Sequence, residues 1–253
     1  GAAYGHAVSG WIFWLADVFE NTSVRDTALY CTQNYGIEPS VYGFLWYKPD
    51  TAADFIPTDG YFFGGEMVSM RSAWDNANGV FLSFHGSSGI DIEHTHTDSG
   101  TFTFNMAGQR FAEDLGSDSY SLDGYLDTRR HEYYRRRPEG HNTLVINPDS
   151  GVGQTLKAPA RVTRFEQNAK SVISAIDLTG AYSENVSAYT RGFRLFDQRH
   201  EIEIRDEAEL LNEENTIYWF MHTTATIDIV DSRTVILSKN GKRIYIKLRT
   251  NAD

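Results

Sequence analysis

The sequence predicts a mainly β fold, an antiparallel β-sandwich preceded by a short helical segment. Two observations support this prediction. From Tyr61 onward, short stretches that alternate apolar and polar residues are separated by Gly, Asn and Asp, as in sandwiches and barrels. Before residue 40, apolar residues recur at spacings of three and four, which is typical of one face of a helix.

The helical segment contains two predicted helices. The first is indicated by apolar residues at helical spacing, namely Val8, Trp11, Ile12, Leu15, Val18 and Phe19. The second spans Val24 to Tyr35, with Ser23 as its candidate N-cap and Gly36 as its stop. Two helices cannot bury their own apolar faces well, so we expect them to be the last part of a larger helical domain.

A linker separates the helical segment from the predicted strands. Pro39, Pro49 and Pro57, with polar residues between them, mark this linker and predict a domain boundary near residue 57. The prediction is therefore two regions, residues 1–57 and residues 58–253. Because the chain opens with Gly1 rather than Met, we expect a fragment or a processed form of a longer protein.

The second region is predicted to consist of short strands. They span residues 67–74, 79–84, 101–106, 142–146, 160–165, 171–176, 189–195, 201–205, 216–222, 234–238 and 243–248. The clearest alternation is in residues 201–205, where Glu, Ile, Glu, Ile and Arg follow one another. Asn240-Gly241 predicts a type I′ hairpin turn between the last two strands.

The composition excludes several classes of function. The chain has 253 residues, of which 41% are hydrophobic, so it can bury a sizeable core. No apolar run reaches the roughly 18 residues of a membrane span, and no signal peptide is visible. The formal net charge of −11 argues against general nucleic-acid binding, which needs a basic surface. Cys31 is the only cysteine, so no internal disulfide can form.

A candidate metal site is indicated by His94, His96 and Asp98, which occupy every second position. In a strand their side chains would share one face. Asp114 and His141 follow further along the chain and complete a set of donors that zinc prefers. The residues alone leave two possibilities open: His94 and His96 both bind, or His96 binds with His141. Asp98 on this reasoning supports the site or forms a turn, and His222 is read as a structural residue.

The same residues resemble a motif series in the C-terminal β-sandwich of the heparinase II/III-like polysaccharide lyases, which include lyases of heparan sulfate, chondroitin or dermatan sulfate, and alginate. The series is His94-x-His96-x-Asp98-x-Gly100, then Asp114-x-Gly116, then Tyr134 seven positions before His141-Asn142-Thr143. Residues 44–47, 56–57, 61–63 and 70–72 are similar to the family's junction between an (α/α) toroid and the sandwich. The resemblance covers roughly residues 40 to 225.

The resemblance implies a fold, a cofactor and a reaction. The first region would be the end of an (α/α) toroid that mostly precedes this chain. His96, Asp114 and His141 would bind a structural zinc beneath a substrate cleft. The reaction would be β-elimination on an acidic, uronate-containing glycan of glycosaminoglycan or alginate type. We further expect a periplasmic or secreted bacterial protein, with the polysaccharide and the missing toroid as its partners.

Catalytic and substrate-binding residues are also implied by the resemblance. His94 would act as a base or neutralise the uronate carboxylate, and Tyr134 would take part through its hydroxyl. Tyr120 and Tyr125 are rival candidates and potential substrate contacts.

Arginines crowd residues 129–137, and their planar forks suit carboxylate and sulfate, so Arg135 and Arg136 are predicted to bind substrate. Two alternatives remain at this point: a non-catalytic, zinc-stabilised sandwich that binds acidic polysaccharide, and a cupin-like metal-dependent enzyme.

Overall fold

A computed structural model describes residues 8–37, 39–47, 59–62, 64, 66–74, 76–90, 94–127, 129–148 and 153–250. Contacts between residues divide the chain into two compact units, Gly1–Pro57 and Thr58–Asp253. No helix in the described part of the chain is long and apolar enough to cross a membrane.

The first unit contains the helices α1 (Trp11–Val18), α2 (Thr22–Tyr35) and α3 (Val41–Trp46). Its small core contains Phe13, Ala28 and Leu29, which α1 and α2 contribute at helical spacing. Large apolar side chains are nevertheless exposed on all three helices, among them Trp14 and Phe44. The two predicted helices are confirmed.

Two details of these helices differ from the prediction. The N-cap of α2 is Asn21 and not Ser23, because the Asn21 carboxamide accepts a hydrogen bond from the Val24 amide at 3.0 Å. The third helix lies in the predicted linker, where Ser40 caps it by accepting from the Gly43 amide. The stop at Gly36 is confirmed, since this residue has a φ of +80°.

The second unit is built from antiparallel strands. These are β1 (Gly60–Phe62), β2 (Met67–Arg71), β3 (Phe81–His85), β4 (Phe102–Met106), β5 (Gln109–Ala112), β6 (Leu144–Ile146), β7 (Arg161–Asn168), β8 (Ser171–Asp177), β9 (Val186–Phe196), β10 (Glu201–Leu210), β11 (Ile217–Trp219), β12 (Thr226–Asp231), β13 (Thr234–Lys239) and β14 (Lys242–Lys247). Their order is β1-β2-β3-β4-β5 in one sheet and β10-β9-β8-β7 in a second. Smaller sheets pair β11 with β6 and join β12, β13 and β14.

The two larger sheets pack face to face and enclose the core. The rings of Phe84 on β3 and Phe193 on β9 stack at a centroid distance of 3.9 Å, which joins the sheets at the centre. In β3 and β8, buried and partly exposed positions alternate, as expected when one face of each strand lies on the core. The predicted antiparallel β-sandwich is therefore confirmed.

Some strands differ from the sequence prediction. Strands β1, β5 and β12 were not predicted, because β1 and β5 have only three and four residues and every residue of β12 is exposed. The strand predicted to begin at Asn142 begins at Leu144, since Asn142 and Thr143 use their side chains to hold neighbouring loops. The predicted type I′ turn is confirmed, with φ of +47° at Asn240 and +74° at Gly241.

A second hairpin turn, between β9 and β10, has an unusual backbone. Asp197, Gln198 and Arg199 all have a positive φ, of 48°, 56° and 66°. Such values are costly for side-chain-bearing residues. The Arg199 guanidinium binds the Asp59 carboxylate with both Nη atoms at 2.8 Å, and Arg199 also donates to the carbonyl groups of Arg71 and Asn168.

Three short 3₁₀ helices follow one another in the long connection between β5 and β6. They span Arg130–Glu132, Tyr134–Arg136 and Pro138–Gly140. This connection carries Asp114 and His141 at its two ends, and the connection between β3 and β4 carries His94, His96 and Asp98. The candidate site therefore lies where loops from neighbouring strands meet, on one end of the sandwich.

Candidate active site and metal centre

Two histidines and an aspartate form a cluster that could hold a metal ion. In His96, Asp98 and His141, one ligand atom from each residue lies within 4.8 Å of the others. Nδ1 of His96 is 3.2 Å from Nε2 of His141. Burial lowers the pKa of His96, although the charge of Asp98 opposes this effect. The lowered pKa favours the neutral imidazole, which is the form that can bind a cation.

Asp114 lies on the opposite side of the His141 ring. Its Oδ2 is 2.7 Å from Nδ1 of His141, and its Oδ1 accepts a hydrogen bond from the Gly116 amide at 2.8 Å. Burial alone would raise the pKa of Asp114, but the hydrogen bond and charge of His141, together with the Gly116 amide, outweigh it and lower the pKa to about 2. A carboxylate placed in this way orients a metal-binding histidine. The assignment of Asp114 as a direct ligand stays a prediction.

Asp98 also contacts a histidine from the edge of the cluster. Nε2 of His85 is 3.4 Å from the Asp98 carboxylate, and Nδ1 of His85 is 2.8 Å from the Gly86 carbonyl oxygen. Burial would lower the pKa of His85, but the charge of Asp98 and the hydrogen bonds to Asp98 and Gly86 together outweigh this effect and raise the pKa to about 9. No sequence pattern indicates this pair, because His85 lies at the end of a core strand.

A buried arginine joins the two loops that carry the site. Arg136 is fully buried and donates from Nη1 to the carbonyl of Tyr125 and from Nη2 to the carbonyl of Thr95. Its own carbonyl accepts from both the amide and the hydroxyl of Thr97. Arg136 therefore holds the loop around His94 and His96, and its guanidinium lies inside the protein rather than on the surface.

A second buried arginine reaches the site from the sheet below. Arg191 on β9 donates from Nη1 to the carbonyl of Gly100 at 2.9 Å and to the carbonyl of Asn142 at 3.1 Å. Its Nε and Nη2 bind both carboxylate oxygens of Asp206, at 2.6 and 3.1 Å. Gly100 closes the loop of His96 and Asp98, and Asn142 follows His141. One guanidinium therefore fixes both loops of the candidate metal site to the sandwich.

An aromatic group lies beside the cluster. His94 is exposed, and its ring centroid is 5.4 Å from that of Tyr120, which in turn stacks on Tyr125 at 5.8 Å. Tyr120 is 55% exposed and available to a ligand, whereas Tyr125 is buried and accepts the Asp118 amide through its hydroxyl. Of the two tyrosines predicted to bind substrate, only Tyr120 presents its ring to solvent.

Arg135 lies next to this aromatic group and is partly exposed. Its Nε is 3.1 Å from the Asp118 carboxylate, and its Nη1 donates to the carbonyl groups of Leu115 and Ser117. These contacts orient the guanidinium without burying it, since its side chain remains 41% exposed. Arg135 is therefore placed so that it can contact an anionic ligand.

Tyr134 contacts a histidine that the sequence analysis assigned to structure. The Tyr134 hydroxyl is 3.1 Å from Nε2 of His222, and Tyr134 is 51% exposed. Burial raises the pKa of Tyr134. The two residues are 88 positions apart, and no local pattern connects them, so only the tertiary structure identifies the pair.

An open pocket of about 390 Å³ lies against the cluster of candidate metal ligands. His94, His96 and Asp98 line one side of it, and Ser87 and Thr155 line another. This volume falls within the range of small-molecule sites. The pocket combines imidazoles, hydroxyl groups and a carboxylate, which suits a hydroxyl-rich ligand such as a sugar.

Comparisons with known proteins identify the fold family. Residues 71–253 match the profile of the family described as "Heparinase II/III-like, C-terminal". Among curated protein sequences none matches this chain. Heparan sulfate lyase HepC from Pedobacter heparinus is 18% identical in sequence, with a TM-score of 0.63 over 92% of this chain and 33% of its own. A structure of heparinase III is 15% identical, with a TM-score of 0.58 over 94% of this chain and 39% of its own.

A further heparinase III structure, the BT4657 gene product with methylated lysines, is 11% identical with a TM-score of 0.52. It is matched over 93% of this chain and 46% of its own. The chain thus spans less than half the length of each of these structures, and at such low identity the likeness concerns the fold. The family profile extends over most of the chain and includes all the residues of the site, and the chain therefore belongs to the heparinase II/III-like family and contains its C-terminal β-sandwich.

Proposed function

We propose that this chain is part of a polysaccharide lyase that cleaves an acidic, uronate-containing glycan by β-elimination. The observation that carries the proposal is the family match over residues 71–253, because that range contains His94 at the pocket, the exposed Tyr134 and the partly exposed Arg135. The solved structures with the same fold are described as heparan sulfate lyase and heparinase III. A glycosaminoglycan is therefore the first substrate class to test, and alginate is the second.

Elimination needs three actions, and exposed residues of this chain suit each of them. The proton beside the uronate carboxylate must be removed, the carboxylate must be neutralised, and the departing glycosidic oxygen must receive a proton. His94 has an exposed imidazole at the rim of the pocket and serves as base or neutraliser. Tyr134 has an exposed hydroxyl held by His222 and serves in proton transfer.

Substrate binding is assigned to the exposed groups around the pocket. Tyr120 offers an aromatic face on which a sugar ring can stack. Arg135 offers a guanidinium that is already oriented by Asp118 and by backbone carbonyl groups, and this geometry suits a carboxylate or sulfate. Arg136 and Tyr125 are buried, so their role in this proposal is to hold the loops that carry Tyr120 and His94.

The donor set at the base of the pocket fits zinc. Two imidazoles and one carboxylate are ligands that zinc binds readily, and the ligand atoms are close enough to converge on one ion. His96 and His141 would hold the ion together with Asp98 or Asp114. A bound zinc would supply structural cross-linking here, since it would join the loop after β3 to the loop before β6.

A helical domain is proposed as the partner of this chain. Trp11, Trp14, Phe19 and Phe44 are large apolar side chains exposed on the first unit. Exposure of this kind is unusual in a monomeric surface and marks a face that another segment covers. We infer that the first unit is the end of an (α/α) toroid, that the toroid supplies the rest of the catalytic cleft, and that the protein acts in the periplasm or outside the cell.

The test is product analysis with the full-length enzyme on glycosaminoglycan and alginate substrates. Elimination produces an unsaturated uronate with a new ultraviolet absorbance, and His94→Ala is expected to lower turnover by about 10²–10⁴. His200→Ala is a matched control, because His200 is an exposed histidine on the turn between β9 and β10. The 253-residue chain alone is expected to be almost inactive.

Two results would contradict the proposal. Reducing sugar released without an ultraviolet signal would indicate hydrolysis rather than elimination. Binding of the glycan without any turnover by the full-length protein would indicate a non-catalytic module.

A further inference from the structure

The orientation of one buried amide determines the protonation of the histidine that contacts Tyr134. Asn142 is fully buried, and its Nδ2 donates to the carbonyl oxygens of Phe102 at 2.6 Å and Glu113 at 2.9 Å. Both partners are acceptors, so they require the NH₂ group of the amide on this side. Oδ1 of Asn142 must then point the other way, towards His222, whose backbone amide donates to it at 2.6 Å.

The position of this oxygen assigns the tautomer of His222. Nδ1 of His222 is 3.2 Å from Oδ1 of Asn142. An amide oxygen can only accept hydrogen bonds, so Nδ1 must carry the proton in this contact. In the neutral ring Nε2 is then the acceptor, and the group beside Nε2 is the Tyr134 hydroxyl at 3.1 Å. Tyr134 therefore donates its hydroxyl proton to His222.

Other features support a neutral and fixed His222. Burial and the nearby His141 lower the pKa of His222 and outweigh the opposing effects of Asp114 and of a hydrogen bond with the Glu139 backbone, which favours the neutral ring. The His222 carbonyl accepts from the Glu113 amide at 2.9 Å, so the backbone at this position is held as well. Tyr134 meets this fixed ring from a 3₁₀ helix and keeps half of its surface exposed.

We propose that His222, in its Nδ1-protonated form, is a positioning residue that directs the hydroxyl proton of Tyr134 inward and leaves the oxygen lone pairs facing the substrate. This inference rests on the proposed function, in which Tyr134 takes part in proton transfer. It adds the direction of that proton transfer, because it assigns Tyr134 as the group that accepts the proton from the substrate. The Asn142 amide sets the tautomer, and the tautomer sets the direction of the hydroxyl.

The proton balance of the step follows from this geometry. Tyr134 Oη takes the proton next to the uronate carboxylate, while its own hydroxyl proton passes to Nε2 of His222. The electron pair of the broken C–H bond forms the new double bond as the glycosidic C–O bond breaks, and the departing oxygen takes a proton from solvent. The imidazolium of His222 then returns its extra proton to solvent, which restores the starting state.

The first test is the tautomer itself, which does not depend on enzyme activity. In the 253-residue chain labelled with ¹⁵N-histidine, the ring signals of His222 are assigned by their loss in His222→Gln. We expect the proton on Nδ1 and a bare, hydrogen-bonded Nε2. Tyr134→Phe should shift the Nε2 signal, whereas Tyr245→Phe, a change of an exposed tyrosine on β14, should leave it in place. A proton found on Nε2 would overturn the inference.

The second test is kinetic and uses the full-length enzyme. His222→Leu is expected to lower kcat by about tenfold or more, with little change in KM. A tenfold loss of rate corresponds to about 1.4 kcal/mol, which is the size expected for one lost hydrogen bond. His222→Gln keeps an acceptor oxygen and should recover part of the rate. In the Tyr134→Phe background, His222→Leu should have no further effect, because the group that it positions is absent.

The outcomes separate this inference from the proposed function. If the enzyme makes no unsaturated product, the lyase proposal fails, while the tautomer measurement still decides the state of His222. If elimination occurs and His222→Leu behaves like the control His200→Leu, the positioning role is wrong and the lyase proposal stands. Circular dichroism on each variant identifies any that do not fold. If His222→Leu does not fold, His222→Gln, which keeps a polar side chain at this position, replaces it in the comparison with the control.

Discussion

Removal of the Arg191 guanidinium should test whether the sandwich core holds the loops of the candidate metal site. Arg191 is fully buried, and its partner Asp206 keeps only 15% of its side chain exposed. Burial alone would lower the pKa of Arg191, but the attraction of Asp206 outweighs it and the pKa is raised, so the arginine is charged at all practical pH values. Arg191→Met would leave the Asp206 carboxylate buried without this cation.

The expected cost follows from the contacts that are lost. Breaking a buried ion pair by removing one partner typically costs about 3–5 kcal/mol of unfolding free energy. The carbonyl groups of Gly100 and Asn142 would also lose the Nη1 donor that they share. Since those carbonyls belong to the two loops that hold His96, Asp98 and His141, zinc affinity should fall by about 10–100-fold, as for other groups that support metal ligands.

Denaturant unfolding and a zinc competition titration measure the two effects. Arg164→Met is the matched control, because Arg164 forms an exposed pair with Glu166 on β7, and exposed pairs contribute about 0–1 kcal/mol. Arg191→Met/Asp206→Asn should recover part of the stability, since it removes the buried charge. The reasoning is refuted if Arg191→Met costs no more than Arg164→Met, or if stability falls while zinc affinity is unchanged.

Three further predictions concern the metal, the substrate and pH. Protein purified without chelator should contain about one zinc per chain. Of the variants Asp98→Asn and Asp114→Asn, one should abolish zinc binding and the other should weaken it by about 10–100-fold. Two equally small effects would exclude both carboxylates as zinc ligands. Arg135→Gln should weaken binding of an acidic oligosaccharide, and the loss should shrink as salt rises, whereas the exposed control Arg164→Gln should have no effect at any salt concentration. Glu66 is fully buried, and although burial raises its pKa, hydrogen bonds from the Val162 amide and Arg161 outweigh this and lower the pKa below the ordinary value of 4.5. Its contribution to the free energy of unfolding should therefore be complete above pH 4.5 and be lost as the pH falls through the lower pKa of the folded state. Glu66→Gln should make the free energy of unfolding less dependent on pH in the acid range. An unchanged pH dependence would contradict this assignment.

The sequence predicts those parts of this protein that depend on local patterns. Apolar spacing indicates α1 and α2, alternation indicates most of the sandwich strands, and Asn240-Gly241 indicates its hairpin. The motif series also predicts that His96, Asp114 and His141 lie together, and the described structure places His96 and Asp114 each within hydrogen-bonding reach of His141, on opposite sides of its ring. Which carboxylate would bind the metal depends on side-chain directions that residue spacing does not determine.

The remaining features depend on contacts between distant parts of the chain. Arg136 is one of several arginines in residues 129–137, and only tertiary structure shows that it is buried while Arg135 is exposed. His222 lies in the connection between β11 and β12, and its role follows from Asn142 and Tyr134, which are 80 and 88 positions away. Position in the sequence alone could not separate these residues from their neighbours.

The turn between β9 and β10 has a consequence for how this protein can be divided experimentally. Its three consecutive left-handed residues are held by Arg199, whose carboxylate partner Asp59 lies 140 positions earlier, directly before β1. The longest hairpin of the second sheet thus remains strained until the first residues of the unit have joined the fold. An expression fragment that begins after Asp59 would omit this ion pair, and one that begins a few residues earlier would retain it. The stable N-terminal limit of the sandwich is therefore determined by a turn near its middle.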